Sequence, residues 1–393
     1  YHEIRTCTGN EQDGRTKRWM TPMDNNNKTY CKMPFVGFQN TYRGNRLCCV
    51  EKGLHNGGVK EFWSSEYIQD VRKKMTNGDR VAGCQQCYDD EDQGKVSLRN
   101  HYNARYKDHK MIDTPTALDL DFSNFCNLQC IMCGPNRSSQ WAKELGDKRI
   151  LSVPKDRLQE ICDISWNVRH ISIQGGEPSI MPEFEHYFDF LKKNNLISNI
   201  EIDCISNLTN VNNKFYTLLE DFKQVNLNAS IDSYGKANDY IRYPSNFEKI
   251  EKNLEHLMGK NLQVNLQITL QVLSMFNFYD FLQWIFKMQT KFADSGKNLG
   301  LNLSYVTNIK HLDIQFAPMQ LKTKMLFDID RFTKQHRIKN NLKFNLELKN
   351  LKNSLSSNSN NTYPKELSQY IHTLDSRRNI KITNYIPNFY DNL

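Results

Sequence analysis

Three cysteines lie within eight residues in the stretch CNLQCIMC, at Cys126, Cys130 and Cys133. Thiolates are soft ligands that suit zinc, copper and iron–sulfur clusters, and a structural zinc site is usually closed by four protein ligands. Three thiols leave one coordination position open, where another molecule can bind. The spacing therefore indicates a reactive metal centre.

A repeating pattern of strands and helices must position this motif. Segments rich in Ile, Val and Leu alternate with segments whose apolar residues recur at steps of three and four, which predicts a parallel sheet with right-handed helical crossovers. The chemistry of such α/β folds gathers at the carboxyl ends of the strands, whether the sheet is doubly wound or forms a partial barrel. The cysteine motif directly follows the first of the six predicted strands, which are residues 117–124, 170–176, 199–207, 225–232, 262–272 and 299–306.

Polar residues also stand at the ends of the next three predicted strands. The second strand ends in QGGEP, in which glycine allows the backbone to approach a ligand closely. The third ends in ISN and the fourth in SID, and an arginine follows shortly after, which can pair with a carboxylate through two hydrogen bonds. The candidate residues are Gly175, Gly176, Glu177, Ser206, Asn207, Ser230, Asp232 and Arg242.

A C-x3-C-x2-C motif after a first strand, followed by GGEP, resembles the radical S-adenosylmethionine superfamily, whose fold is a partial (β/α)6 barrel. The resemblance implies that Cys126, Cys130 and Cys133 hold a four-iron, four-sulfur cluster whose fourth iron binds S-adenosylmethionine. It also implies that the eight candidate residues contact that cofactor. The expected chemistry is reductive cleavage of S-adenosylmethionine to a 5′-deoxyadenosyl radical, which then abstracts hydrogen from a substrate.

A second group of cysteines precedes the predicted barrel, at Cys31, Cys49, Cys84 and Cys87. Paired cysteines also build zinc ribbons, so zinc is the alternative. The C-x12-G-x4-C and C-x2-C spacings resemble the twitch domain, a shortened relative of the SPASM domain, which holds one auxiliary four-iron, four-sulfur cluster. Cys48 makes the second ligand ambiguous, and the spacing after the glycine selects Cys49.

The position of this group departs from the family, because twitch and SPASM domains more often follow the barrel. Four thiolates would saturate the auxiliary cluster, and the resemblance then implies that it accepts an electron from the substrate radical. We therefore expect a cysteine-rich twitch-like domain at residues 1–115, the barrel at 116–310 and a helical extension at 311–393. Within the extension, residues 318–336 are predicted as a helix and residues 352–364 as a loop.

The bulk composition limits the partners of this chain. It has 393 residues and a net charge of +8, spread without a clustered basic patch, which disfavours nucleic acid. No apolar run is long enough for a membrane span and no secretory signal is visible, so we expect a cytoplasmic protein.

The expected substrate is a peptide or a small polar metabolite, and the expected electron donor is a protein such as flavodoxin or ferredoxin. About 30 residues precede Cys31, which favours a separate leader-peptide-binding protein over a built-in one. The alternative reading is a non-catalytic zinc or iron–sulfur scaffold that binds RNA.

Overall fold

The computed structural model describes residues 28–147, 149–336, 342–356 and 362–393, and the structural statements below concern these residues. They form one eight-stranded sheet in the order β2-β1-β3-β4-β5-β6-β7-β8. Every neighbouring pair is parallel except β1 and β2, which are antiparallel. The strands are β1 Gly37–Thr41, β2 Gly44–Arg46, β3 Ala117–Asp121, β4 His170–Gln174, β5 Glu201–Ser206, β6 Gln224–Ser230, β7 Gln263–Leu270 and β8 Leu299–Tyr305.

The six strands predicted from the alternating pattern are confirmed as β3 to β8, which lie side by side in chain order. Helices connect them, as expected for parallel strands. The helices are α1 Met33–Val36, α2 Val59–Ser64, α3 Glu66–Asn77, α4 Gln85–Asp92, α5 Leu98–Arg105, α6 Ser139–Glu144, α7 Lys155–Ile164, α8 Pro182–Lys193, α9 Lys214–Leu219, α10 Lys236–Ile241, α11 Phe247–His256, α12 Phe278–Asp294, α13 Met319–His336, α14 Leu342–Ser356 and α15 Pro364–Arg378.

The two faces of the sheet differ in chemistry. Since successive side chains of a strand point to opposite faces, the sequence ALDLD of β3 sends its leucines to one face and its aspartates to the other. The apolar face carries helices: Phe38 of β1 packs on Phe62 and Trp63 of the α2 segment, with ring centroids 5.4 and 6.0 Å apart. The opposite face, which we call the polar face, carries the register-matched residues Gln39, Asp119, Ser172, Asp203 and Asn226, and one layer further Asp121, Gln174, Asn228 and Asn265.

The region ahead of β3 contributes to the same sheet. β1 pairs with β3 over five residues, from Gly37 opposite Ala117 to Thr41 opposite Asp121. Glycine is required at position 37, because a Cβ atom there would lie 2.0 Å from the carbonyl oxygen of Ala117. The predicted boundary between residues 115 and 116 is therefore crossed by direct strand pairing. Residues 1–27 of the predicted N-terminal domain lie outside the described residues.

The C-terminal part is helical, as predicted, and residues 318–336 correspond closely to α13. The predicted loop at 352–364 is wrong for its first five residues, because α14 continues to Ser356. Its Ser- and Asn-rich part at 357–361 lies outside the described residues. In the ranges given above, no helix combines the length and apolar character that a bilayer span requires.

Candidate metal and cofactor site

The three motif cysteines lie in the loop between β3 and α6, residues 122–138, which we call the cysteine loop. All three are free thiols; Cys126 and Cys130 are buried and Cys133 is half-buried. The loop leaves the carboxyl end of β3, so the structure places the thiols at the edge of the sheet where the sequence predicted them.

Burial makes these thiols hard to ionise on their own. It is the largest cause that raises the pKa of each of the three, and the charge of Cys130 raises the pKa of Cys126 and Cys133 further, to about 12 for Cys133. A bound metal reverses this, since a coordinating thiol is deprotonated outright. The donor set and its surroundings therefore fit a cationic metal cluster.

Backbone hydrogen bonds tie the cysteine loop to the segment after α10. The amide of Ile131 donates to the carbonyl of Ile241 at 2.8 Å, and the amide of Gln129 donates to the carbonyl of Tyr243 at 2.5 Å. The loop is thus held on both sides of Cys130.

The predicted Gly-Gly turn packs directly on the cysteine loop. The amide of Gly176 donates to the carbonyl of Ser123 at 3.0 Å, and the amide of Glu177 donates to that of Phe125 at 2.8 Å. A Cβ atom at Gly176 would lie 2.1 Å from the oxygen of Phe125. Gly175 has a φ of 127°, a conformation that favours glycine. Both glycines are therefore required for the close approach of the two loops.

Glu177 joins the ends of β4 and β5. One carboxylate oxygen accepts from the hydroxyls of Ser179 and Ser206 at 2.6 and 2.8 Å, and the other accepts from the amide of Asn207 at 2.7 Å. The side chain is buried, and burial raises its pKa although these hydrogen bonds oppose the shift. Three predicted cofactor residues, Glu177, Ser206 and Asn207, are thus brought together.

Asp232 and Arg242 form a buried ion pair beside the thiols. Arg242 donates through Nη1 to Asp232 Oδ2 at 2.7 Å, and Asp232 Oδ1 accepts from the amide of Thr269 at 2.8 Å. Burial opposes the charge of Arg242, but Cys130 and Asp232 outweigh it and raise the pKa of the guanidinium. Ser230, the last residue of β6, is also buried. A permanent cation directly after α10 therefore faces the three thiols.

Comparison with known proteins agrees with this geometry. The sequence model of the Radical SAM superfamily matches residues 120–280, from β3 into α12. This segment is therefore similar to the radical SAM superfamily. The matched range includes all three motif cysteines and all eight predicted cofactor residues.

Three similar proteins illustrate the range of the likeness. The sporulation killing factor maturation protein SkfB of Bacillus subtilis (strain 168) is 22% identical over 206 residues, which are 52% of this chain and 48% of SkfB. The mycofactocin maturase MftC of Mycobacterium tuberculosis is 24% identical over 147 residues, 37% of this chain and 35% of MftC. The crystal structure of Streptococcus suis SuiB bound to precursor peptide SuiA has a TM-score of 0.37 at 14% identity, covering 77% of this chain and 68% of SuiB. The chain thus spans less than half of each of these two curated relatives.

The second group of thiols lies at the amino ends of the strands, opposite to Cys126, Cys130 and Cys133. Cys31 precedes α1, which leads into the start of β1, and Cys48 follows β2, which runs back toward that start. Burial raises the pKa of Cys31 and of Cys48, and the charges of Cys84 and Cys87 raise both further. Four thiols therefore converge at the amino ends of β1 and β3.

The structure favours Cys48 over Cys49 as the fourth member of this group. Cys48 is a free thiol whose pKa responds to Cys31, Cys84 and Cys87. Cys49 is disulfide-bonded, and its sulfur lies 3.9 Å from the hydroxyl of Tyr102. Adjacent residues point in different directions, and the predicted spacing after the glycine could not distinguish them.

Neither thiol group has the spacing of a single-ion site. No three His, Cys, Asp or Glu side chains in the described ranges come close enough together to hold one metal ion. This holds equally for Cys126, Cys130 and Cys133, which lie in the radical SAM segment.

The residues predicted from sequence do not include two buried polar groups on the polar face. Asp119 accepts a hydrogen bond at 2.8 Å from each of the amides of Gln39 and Gln174, and burial raises its pKa to about 6. His170 bridges the hydroxyl of Tyr106 and the carboxylate of Asp203, with both distances 2.9 Å. Their signal in the sequence is the regular polar alternation of DLD in β3 and HISIQ in β4.

Proposed function

We propose that this chain is a radical SAM enzyme that cleaves S-adenosylmethionine reductively and abstracts hydrogen from a peptide or a small polar metabolite. It then transfers an electron to an auxiliary four-iron, four-sulfur cluster. The observation that carries the proposal is the set of three free thiols in the radical SAM segment, with the Arg242–Asp232 pair and Glu177 beside them.

At the carboxyl ends of the strands, one set of residues would hold the cluster and a second set would bind the cofactor. Cys126, Cys130 and Cys133 would hold the cluster, which when bound supplies the electron that cleaves the sulfonium of S-adenosylmethionine. Gly175 and Gly176 would hold the turn against the cysteine loop, beside the methionine part of the cofactor. The Arg242 guanidinium is a suitable partner for its carboxylate.

Ser206, Asn207, Ser230 and Asp232 would complete the cofactor site with hydroxyl, amide and carboxylate groups at the ends of β5 and β6. Their part is to orient the ribose and the amino acid moiety. Each of them is buried, and each lies at the same sheet edge as the cysteine loop.

We propose that Cys31, Cys48, Cys84 and Cys87 hold the auxiliary cluster, with Cys48 in place of the Cys49 that spacing selects. The support is the mutual effect of these four thiols on their pKa values and the free state of Cys48. Four thiolates would leave no iron open to substrate, which favours an electron-accepting role. A reductant such as flavodoxin or ferredoxin would supply the first electron, in a cytoplasmic setting.

The polar face of the sheet supports a substrate that lies between the two thiol groups. β3 spans five residues, so its amino and carboxyl ends, where the two thiol groups lie, are about 13 Å apart at a rise of ~3.3 Å per residue. Buried polar groups normally have hydrogen-bond partners, yet Gln39 Oε1, Asn226 Oδ1 and Gln267 Oε1 have none in the described part of the chain. These free acceptors suit a substrate that carries N–H or O–H groups.

We favour a peptide as the substrate, in a reaction such as oxidation, crosslinking or epimerisation. Two relatives with matching segments carry names that describe maturation, SkfB and MftC. A separate leader-binding partner would fit this proposal.

The decisive experiment is to purify the protein without oxygen, reconstitute it with iron and sulfide, and measure 5′-deoxyadenosine release under dithionite. We expect about eight irons per chain, from two four-iron clusters, and release that depends on S-adenosylmethionine. Cys130→Ala should abolish release, whereas Cys162→Ala, which removes a buried free thiol of α7, should not. Unchanged release in Cys130→Ala would overturn the proposal, and salt-dependent RNA binding without release would favour the scaffold alternative.

A further inference from the structure

The C-terminal helix α15 ends against the cysteine loop. The hydroxyl of Tyr370 donates to the carbonyl of Ile131 at 2.5 Å, and Nη2 of Arg378 donates to the carbonyl of Gln129 at 3.0 Å. The carbonyl between them, that of Cys130, accepts from Nε1 of Trp141 at 2.8 Å. Three consecutive carbonyls around one cluster ligand are therefore fixed by side chains, two of which come from α15.

Arg378 is buried in a site shaped for its charge. Its side chain is 2% exposed, and Nε donates to Glu144 Oε2 at 3.1 Å. The guanidinium lies over the rings of Trp141 and Tyr243, 4.9 and 5.0 Å from their centroids. Nη1 is buried and has no hydrogen-bond partner among the described residues. The guanidinium is a planar cation that stacks on two rings while it donates to a carbonyl. Lysine could not make all of these contacts, because its ammonium group is not planar.

The helix is itself held in place from the radical SAM segment. Asp375 accepts from the hydroxyl of Tyr240 at 2.8 Å and from the amide of Ile382 at 2.9 Å. Tyr240 lies in α10, close to the backbone that pairs with the cysteine loop. The contact between α15 and the loop is thus braced on both sides.

We propose that Arg378 is a positioning residue for the cysteine loop and that its buried charge makes the cluster held there easier to reduce. The inference rests on the proposed binding of a cluster by Cys126, Cys130 and Cys133. A positive charge favours the more negative, reduced state of a nearby cluster. The guanidinium is buried and donates to the carbonyl of Gln129, the residue before Cys130, at 3.0 Å, so the charge of Arg378 lies close to this ligand.

The test is a redox titration of the reconstituted holoprotein. The reduced cluster is measured by its electron paramagnetic resonance signal, and the cluster in question is the one whose signal changes when S-adenosylmethionine is added. Arg378→Gln should lower the ratio of reduced to oxidised cluster at a fixed potential about tenfold, at the low end of what a nearby charge does to a buried group. That ratio corresponds to about 59 mV for a one-electron couple. Arg377→Gln, which removes an exposed arginine next to it, is the matched control and should leave the ratio unchanged.

Two further variants keep the inference testable where Arg378→Gln does not fold. Arg378→Lys keeps the charge and should restore most of the ratio, with a broadened signal because the carbonyl and ring contacts are weakened. Glu144→Gln removes the opposing charge and should shift the ratio in the opposite direction, toward easier reduction. Arg378→Gln or Glu144→Gln with a wild-type ratio would overturn the inference, whereas a wild-type protein that binds no cluster would overturn the proposed function.

Discussion

Relative to wild type, Asp119→Asn should gain stability as the pH rises from acid to neutral. The carboxylate is buried, its two neutral amide donors come from Gln39 and Gln174, and no cation lies within ion-pair distance in the residues that the structure describes. Burial is the first cause that raises its pKa from 3.8 to about 6; Asp121 raises it further, and Gln174, Arg46 and Arg137 oppose the rise. The charged form therefore destabilises the folded state.

The sign and size of the change in the free energy of unfolding follow from the difference between the folded and unfolded pKa of Asp119. A carboxyl whose pKa is raised on folding contributes stability below its unfolded pKa, and that contribution is lost as pH rises through the folded value. The shift from 3.8 to about 6 corresponds to about 3 kcal/mol, at 1.36 kcal/mol per pKa unit. Asparagine has the same shape and cannot ionise, so the variant should gain this amount relative to wild type between about pH 4 and pH 7.

Urea unfolding of the reconstituted proteins under anaerobic conditions, from pH 5 to pH 8, measures the effect. About half of it, ~1.5 kcal/mol, should appear in that interval. Altered hydrogen bonding changes the free energy of unfolding by an amount that does not depend on pH. Only the pH-dependent part of the difference between variant and wild type tests the prediction. Asp294→Asn, at an exposed position of α12, is the control. A difference between Asp119→Asn and wild type that is independent of pH would refute the reasoning.

Three other predictions concern the two cysteine sites. Gly176→Ala should lose the radical SAM cluster and on the order of 3 kcal/mol of stability, because its Cβ would lie 2.1 Å from the Phe125 oxygen; retained iron and an unchanged unfolding midpoint would contradict this. Cys48→Ala should lower the iron content to about four per chain while Cys49→Ala keeps it near eight, and the reverse result would restore Cys49 as the ligand. Glu177→Gln sets an amide NH2 against donors and should weaken S-adenosylmethionine binding at least about tenfold, since charged hydrogen bonds contribute about 1.5–3 kcal/mol; equilibrium dialysis that shows equal affinity would disprove it.

Some of the fold could be predicted because its signals are local. Short segments rich in Ile, Val and Leu identified strands such as β3 and β4, and apolar periodicity identified α8 and α12. β1 was missed because GFQNT contains no Ile, Val or Leu and only one apolar side chain, that of Phe38. It becomes a strand through pairing with β3, which a local pattern does not reveal.

The sequence by itself determined the three-thiol motif and the strand ends around it, because ligands within eight residues of one loop are brought together by short-range geometry alone. Only the tertiary structure decided that Cys48 faces the second thiol group, that this group lies at the opposite sheet edge, and that Arg378 reaches the loop. Arg378 is separated from Gln129 by 249 residues. Contacts over such distances depend on how helices pack and on which face each side chain occupies, and spacing along the chain carries no record of either.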